Sequence, residues 1–164
     1  MIVVSNTSPL TNLAAIGQFD MLGHLYPGLC IADGVWDELN AGGRCWPGRN
    51  EVAAADWIKR CTVQNQPLVN ALRRDLDRGE SETIALAVEF GADLILLDEK
   101  EGRNAAVRFG LRPVGIVGVL LEAKKKGFTE ELRPHLDALR KDAGFYLSEP
   151  LYRHALVLSG EMNS

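Results

Sequence analysis

The sequence lacks the features of disulfide-stabilised, zinc-binding and membrane-spanning proteins. Its 3 cysteines, Cys30, Cys45 and Cys61, are far apart and form no Cys-x-x-Cys pair, so neither a disulfide framework nor a zinc site is predicted. The nearly apolar stretches at 94–97 and 114–121 are far shorter than the ~20 residues that cross a membrane. No basic region precedes the first apolar run. We therefore expect a soluble, cytoplasmic protein without a membrane partner.

An excess of positive charge is also missing. The net charge of -4 argues against a protein that coats nucleic acid through bulk charge, although a local basic rim could still hold a few phosphates. No Gly-x-Gly-x-x-Gly follows the first predicted strand, which argues against a dinucleotide-binding fold. A phosphohydrolase with a nucleophilic Asp would need a second Asp two residues later, and the segment Asn6-Thr7-Ser8 has none.

What the sequence does contain is a regular alternation of strand and helix patterns. At 164 residues, with 46% hydrophobic content and no shift in composition, the chain is expected to form a single domain over 1–164. Short β-branched runs alternate with helical patterns, which is typical of βαβ units. This predicts an α/β fold: a three-layer α/β/α sandwich around a mostly parallel sheet, with extra helices in a C-terminal extension over about 128–164.

The element boundaries follow from apolar periodicity and from helix start and stop signals. Strands are predicted at 2–5, 29–32, 61–64, 94–97 and 113–117. Ser8 and Asp33 are the predicted N-caps of the first and third helices, and residues 41–50 are predicted to form a loop. The remaining helices are predicted at 18–26, 51–59, 67–76, 81–90, 100–109, 119–126, 129–139 and 149–158.

Polar residues stand where three of these elements end or begin. Asn6 follows the first strand, Asp98 ends the strand at 94–97, and Glu80 and Glu82 open a helix. Glu38, one turn into the third helix, could lean toward the same edge of the sheet. Because ligands bind outside the carboxyl ends of parallel strands, carboxylates collected there indicate a divalent-metal site and phosphate chemistry.

Each of these residues, taken alone, also has an ordinary structural explanation. Acidic residues such as Glu80 and Glu82 are favoured in the first turn of a helix, and Asp98 could cap the next helix. Glu38 could be a solvated position on an amphipathic helix, and Asn6 a turn residue at a strand exit.

Four segments in combination resemble PIN-domain proteins. They are VVSNTSPL at 3–10, GVWDEL at 34–39, RGESETIALA at 78–87 and LILLDEKEGR at 94–103. The segment PVGIVGVLLEAK at 113–124 extends the likeness over nearly the whole chain. In particular, the chain resembles a prokaryotic PIN-like subgroup with GESE-type and LLxDExxGR-type motifs.

The resemblance implies a function. PIN domains are α/β/α folds, and many are Mg²⁺- or Mn²⁺-dependent ribonucleases, including the VapC toxins of toxin–antitoxin pairs. By this resemblance RNA is the expected substrate, an antitoxin protein a possible partner, and a homodimer the expected assembly. The implied metal-binding and catalytic residues are Asn6, Glu38, Glu82 and Asp98, with Ser8 as a catalytic neighbour, Glu80 and Glu99 as secondary acids, and Arg103 as a phosphate-binding residue.

Two positions leave alternatives open. The family has an Asp where this chain has Asn6, and a neutral amide brings no charge to a metal ion. The chain is then either a ribonuclease that tolerates the amide, a PIN fold that binds nucleic acid or protein without cleavage, or a nuclease with an introduced inactivating substitution. Arg103 could instead pair with Glu99 on its own helix. Further arginines that could contact RNA are Arg73, Arg74, Arg78, Arg108 and Arg112.

Overall fold

The computed structural model describes residues 1–164 and contains one sheet of five parallel strands. The strands are β1 (Val3–Ser5), β2 (Leu29–Ala32), β3 (Ile58–Cys61), β4 (Leu94–Leu96) and β5 (Pro113–Val114). Their order across the sheet is β3-β2-β1-β4-β5, so β1 is central and both of its neighbours run parallel to it. The predicted parallel sheet is confirmed.

Ten helices connect and cover the strands. They are α1 (Thr7–Ala15), α2 (Asp20–Leu25), α3 (Asp33–Leu39), α4 (Arg49–Ala54), α5 (Gln66–Leu72), α6 (Arg78–Phe90), α7 (Lys100–Arg108), α8 (Ile116–Lys125), α9 (Arg133–Lys141) and α10 (Glu149–Leu158). None of them is long and apolar enough to cross a membrane.

The two faces of the sheet bury separate apolar clusters. Side chains alternate along a strand, so Val3 and Leu96 belong to one cluster while Val4 and Ile95 belong to the other. The first cluster includes residues from α1, α2, α3, α8, α9 and α10, and the second includes residues from α5, α6 and α7. This is the predicted three-layer α/β/α sandwich.

The helices of the C-terminal extension complete the first cluster. The buried members of α9 and α10 are Leu136, Leu139, Tyr152, Ala155 and Leu156, and Leu132, just before α9, joins them. Leu151 on α10 is 43% exposed. The apolar face of these helices is therefore mostly core.

Several predicted boundaries are wrong because strand pairing and core packing override local periodicity. The third strand is Ile58–Cys61 rather than 61–64, because residues 58–61 pair with β2 in the register Leu29↔Ile58 to Ala32↔Cys61. Helix α4 therefore ends at Ala54 rather than at 59. Strand β5 is only two residues long. Helix α8 starts at Ile116 rather than 119, where the Ile116 N–H donates to Asp98 Oδ1 at 2.9 Å. Ile116, Val119 and Leu120 are all buried and lie three and four residues apart, on one face of the helix.

The helix starts that face the site also differ from the prediction. Helix α1 is preceded by Asn6 rather than Ser8, and α3 by Ala32 rather than Asp33, and neither residue makes a side-chain cap. Helix α6 begins three residues before the predicted 81, because the Asp77 carboxylate accepts a hydrogen bond from the Glu80 N–H at 2.8 Å.

Candidate active site

Asn6 stands at the carboxyl end of the central strand. Its side chain is 4% exposed and its Nδ2 donates to Glu99 Oε2 at 3.3 Å. The amide oxygen Oδ1 is buried and has no hydrogen-bond partner. A buried polar oxygen without a partner is uncommon in native proteins and marks a place where a ligand could bind.

Glu99 reaches the same position from the neighbouring strand. It follows β4, precedes the first residue of α7, and accepts a second hydrogen bond from Ser8 Oγ at 2.5 Å. The Asn6 backbone N–H donates to the Leu96 carbonyl at 2.9 Å, which fixes the register of the two strand ends. Parallel pairing therefore brings Glu99 and Asn6, 93 residues apart, into contact.

Glu38 joins them from helix α3. Its Oε2 accepts a hydrogen bond of 2.6 Å from Thr7 Oγ1. A Cβ atom added to Gly79 would lie 2.7 Å from this Glu38 oxygen and 3.5 Å from Asn6 Oδ1. The absence of a side chain at Gly79 therefore lets the start of α6 approach, and both oxygens border the space above it.

Glu80, the residue after Gly79, shares the electrostatic field of these groups. Its pKa is raised to about 7, chiefly by burial and then by the negative charges of Asp77, Glu99 and Glu38. We refer to Asn6, Glu38, Glu80 and Glu99 as the acidic cluster. It concentrates negative charge at one edge of the sheet with no cationic side chain hydrogen-bonded to Glu38 or Glu99.

Glu82 follows Gly79 by three residues on α6, and both of its oxygens are engaged. It is 7% exposed, its Oε2 accepts from Arg78 Nε at 2.6 Å, and its Oε1 accepts from the Gly34 N–H at 3.0 Å. Arg78 also donates to Asp37 at 2.9 Å. These bonds connect α6 to α3, the helix that carries Glu38, so Glu82 holds together two of the elements that build the site.

Asp98 points toward the start of α8. Its Oδ1 accepts from the Ile116 N–H at 2.9 Å, and its Oδ2 is buried without a partner. Burial raises the pKa of Asp98 to about 6; the Ile116 N–H and Arg103 oppose this rise, and the charge of Glu99 adds to it.

Arg103 does not pair with Glu99, contrary to the alternative raised by the sequence. One of its terminal nitrogens, Nη1, donates to the Leu97 carbonyl at 3.2 Å, while Glu99 bonds Ser8 and Asn6. A guanidinium has five N–H donors, so most of those of Arg103 stay free for a phosphate.

The structure thus brings Asn6 and Glu38 together with Glu80 and Glu99, the two acids given secondary roles. Thr7 and Gly79 were not identified from the sequence, and Arg78, considered there only as a possible RNA contact, bonds Glu82 and Asp37 in the structure. The spacing of Arg78 and Glu82, four residues apart on one helix, indicates an ion pair and could have been recognised. Thr7 and Gly79 carry no such signal, because their roles depend on the approach of α3 and α6.

The side-chain oxygens of Asn6, Glu38, Glu80 and Glu99 are of the kind that binds a divalent cation. Carboxylate and amide oxygens are the ligands that Mg²⁺ takes from proteins, and the Asn6 oxygen lacks a partner. In the structure no group of three or more His, Cys, Asp or Glu side chains is already arranged to hold a metal ion. Glu38 and Glu99 are instead held by hydroxyl and amide donors.

A family model described as DUF3368, PIN domain, matches residues 2–161. The chain belongs to the PIN-domain family. PIN domains have a nuclease-type fold, generally use divalent metal ions and are associated with nucleic acids, as the sequence motifs predicted. No curated protein and no solved structure matches the chain.

The link between α3 and α6 generates the first prediction. Replacing Arg78 by Met leaves the buried Glu82 carboxylate without its cationic partner. We expect the free energy of unfolding, measured with urea, to fall by about 1–2 kcal/mol. Breaking a fully buried ion pair costs roughly 3–5 kcal/mol, but the Arg78 side chain is 44% exposed, so the loss here is smaller. Arg74→Met is the matched control, since Arg74 is exposed and forms no ion pair. Equal losses in both variants would contradict this role.

The raised pKa of Glu80 generates the second prediction. Its pKa in the folded protein, about 7, lies above the ordinary value of 4.5, so the folded state binds the proton more tightly than the unfolded state. The resulting stabilisation is complete at low pH and is lost as the pH rises through about 7. With chelator present, the unfolding free energy of the unaltered protein minus that of Glu80→Gln should fall between about pH 5 and 8. A constant or rising difference would contradict the raised pKa of Glu80.

Proposed function

We propose that this protein is a ribonuclease that uses Mg²⁺ or Mn²⁺ to hydrolyse phosphodiester bonds in RNA. The observation that supports this most is the buried, unpartnered Oδ1 of Asn6 beside Glu38, in the negative field that also includes Glu80 and Glu99. A divalent cation would supply the missing partner and neutralise the field. Membership of the PIN-domain family supports the same chemistry.

Asn6, Glu38, Glu80 and Glu99 would hold the ion. Glu80 and Glu99 take the places that the sequence motifs suggested for Glu82 and Asp98. Glu82 is the weaker candidate because both of its oxygens are already bonded to α3 and to its own helix. Asp98 is weaker because its carboxylate bonds the Ile116 N–H at the start of α8.

The chain's own residues would orient the acids and the substrate. When bound, the ion would polarise the phosphoryl group and lower the pKa of an attacking water. Thr7 and Ser8 restrict the carboxylates of Glu38 and Glu99, and Glu80 would lose its proton on metal binding near neutral pH. Arg103, with most of its N–H donors free, is the proposed phosphate contact.

A second candidate function is a PIN fold that binds nucleic acid or protein without cleavage. It is favoured by one observation: position 6, at the centre of the site, carries an amide instead of a carboxylate. A toxin role, an antitoxin partner and a homodimer remain predictions from the family resemblance.

The third prediction concerns Asn6→Asp. In the metal-free protein the new carboxylate would lose the hydrogen bond to Glu99 and face its charge at about 3.3 Å, so stability in chelator should fall. Metal affinity should rise, because the site gains an anionic ligand. We expect about tenfold tighter Mn²⁺ binding by calorimetry, a change of ~1.4 kcal/mol, and faster cleavage of a labelled RNA.

Two further variants serve as the controls for this prediction. Glu99→Gln should abolish Mn²⁺ binding at an unchanged fold, whereas Glu82→Gln should lower stability more than metal affinity. If the unaltered protein and Asn6→Asp both fail to cleave varied RNAs in Mn²⁺, the ribonuclease proposal is wrong. RNA binding without cleavage would then support the second candidate function.

A further inference from the structure

A cavity of about 430 Å³ opens next to the acidic cluster. One side is formed by Thr7, Ser8 and Glu38, which belong to the site or hold its acids. The other side is formed by Trp46 and Pro47, from the segment between α3 and α4. A volume above about 300 Å³ is in the range of small-molecule sites and is large enough for one nucleotide.

Residues 40–48 form an ordered loop that presents Trp46 to this cavity. Gly42, Gly43 and Gly48 have φ values of 69°, 66° and 95°, which side chains rarely adopt. The Trp46 indole N–H donates to the Ala41 carbonyl at 3.3 Å. The loop's own bonds therefore hold the indole.

Trp46 is not needed for either apolar core. It is 38% exposed and belongs to neither buried cluster, whereas Trp36 and Trp57 both pack against the first cluster. Trp46 is a large aromatic residue that lines the cavity, and a hydrogen bond within its loop holds the ring there. Such a ring is suited to contact a ligand.

The same loop carries positive charge that no acid neutralises. The Arg44 guanidinium carbon lies 4.3 Å from the centroid of the Trp46 ring. Arg49 donates to the Arg44 carbonyl at 3.1 Å, and neither arginine belongs to an ion pair. In a chain of net charge -4, Arg44 next to Trp46 and Arg49 at the start of α4 are two cations without acidic partners that would provide phosphate contacts.

We propose that this cavity binds one nucleotide of single-stranded RNA adjacent to the scissile phosphate. Its base stacks on Trp46, and Arg44 and Arg49 contact the neighbouring phosphates. This proposal rests on the RNA substrate proposed above and adds the subsite that positions it. Because every base has a π-face, stacking on Trp46 binds all four bases, so the subsite selects single strands over duplexes rather than a sequence.

The test measures binding and cleavage separately. Binding of a fluorescein-labelled single-stranded RNA is followed by anisotropy in chelator, where no metal-dependent cleavage can contribute. Trp46→Ala should weaken binding by about tenfold, and Trp46→Phe by less, because a base–aromatic stack is lost in one and reduced in the other. In Mn²⁺ the same Trp46→Ala change should raise KM more than it lowers kcat.

The matched control is Phe109→Ala. Phe109 is 43% exposed, close to the exposure of Trp46, but it follows the end of α7 at the opposite edge of the sheet, so RNA binding should not change. Arg44→Gln should reduce the dependence of binding on salt by about one phosphate contact.

Three outcomes would overturn the subsite: RNA binding by Trp46→Ala equal to that of the unaltered protein, equal losses for Trp46→Phe and Trp46→Ala, or the same loss for Phe109→Ala. The unfolding midpoint of Trp46→Ala should be unchanged, because the ring lies outside the core. Since binding is measured without metal, failure of the ribonuclease activity and failure of the subsite give different results.

Discussion

The site depends on three consecutive residues, Asn6 between β1 and α1 and the first two residues of α1, Thr7 and Ser8. Asn6 and Ser8 hydrogen-bond Glu99, and Thr7 hydrogen-bonds Glu38. These donors lie at the start of α1, where the helix dipole also favours negative charge. They hold acids from two other elements near one another despite their mutual repulsion.

Burial and the neighbouring negative charges both act on Glu80. Its raised pKa is caused first by burial and then by its acidic neighbours, so this carboxyl is partly protonated near neutral pH. The burial and mutual repulsion of these acids raise the free energy of the metal-free site, and a bound divalent cation would lower it. With a metal ion bound, the hydrogen bonds from Asn6, Thr7 and Ser8 would keep Glu38 and Glu99 in place. Such preorganised groups are what a site needs to stabilise charge during a reaction.

The surrounding fold supplies the close approach that the cluster needs. Gly79 allows the first turn of α6 to lie against Glu38 and Asn6. The Arg78–Glu82 pair and the bond from the Gly34 N–H fix α6 to α3 behind the cluster. The Arg78–Glu82 ion pair and the absence of a side chain at Gly79 therefore set the distance between α3, which carries Glu38, and α6, which carries Glu80.

Much of this architecture could be predicted from the sequence. The alternation of apolar runs and helical periods gave the parallel sheet and its two covered faces, and the bounds of β2 and α10 agree with the predicted 29–32 and 149–158. The position of Asn6 at a strand exit was also predicted. These features depend on local periodicity and on the rule that parallel strands end at one edge.

The choice between neighbouring acids could not be predicted in this way. Glu80 and Glu82 are two residues apart on a helix, which turns them by roughly 200° relative to one another. Their different roles depend on tertiary contacts, because Glu82 bonds Arg78 and the Gly34 N–H of α3. Asp98 and Glu99 are adjacent where the chain leaves β4, and successive side chains there point to different sides. Trp46 lies in a glycine-containing loop without periodicity, so its place beside the cavity depends only on tertiary structure.

The most direct test of the proposed site is anomalous diffraction from crystals soaked in Mn²⁺. The account predicts one strong peak within about 2.0–2.3 Å of Asn6 Oδ1 and of oxygens from Glu38 and Glu99, with Glu80 on the ion directly or through water. A peak bound by Glu82 or Asp98 in place of Glu99, or no peak at this edge of the sheet, would contradict it.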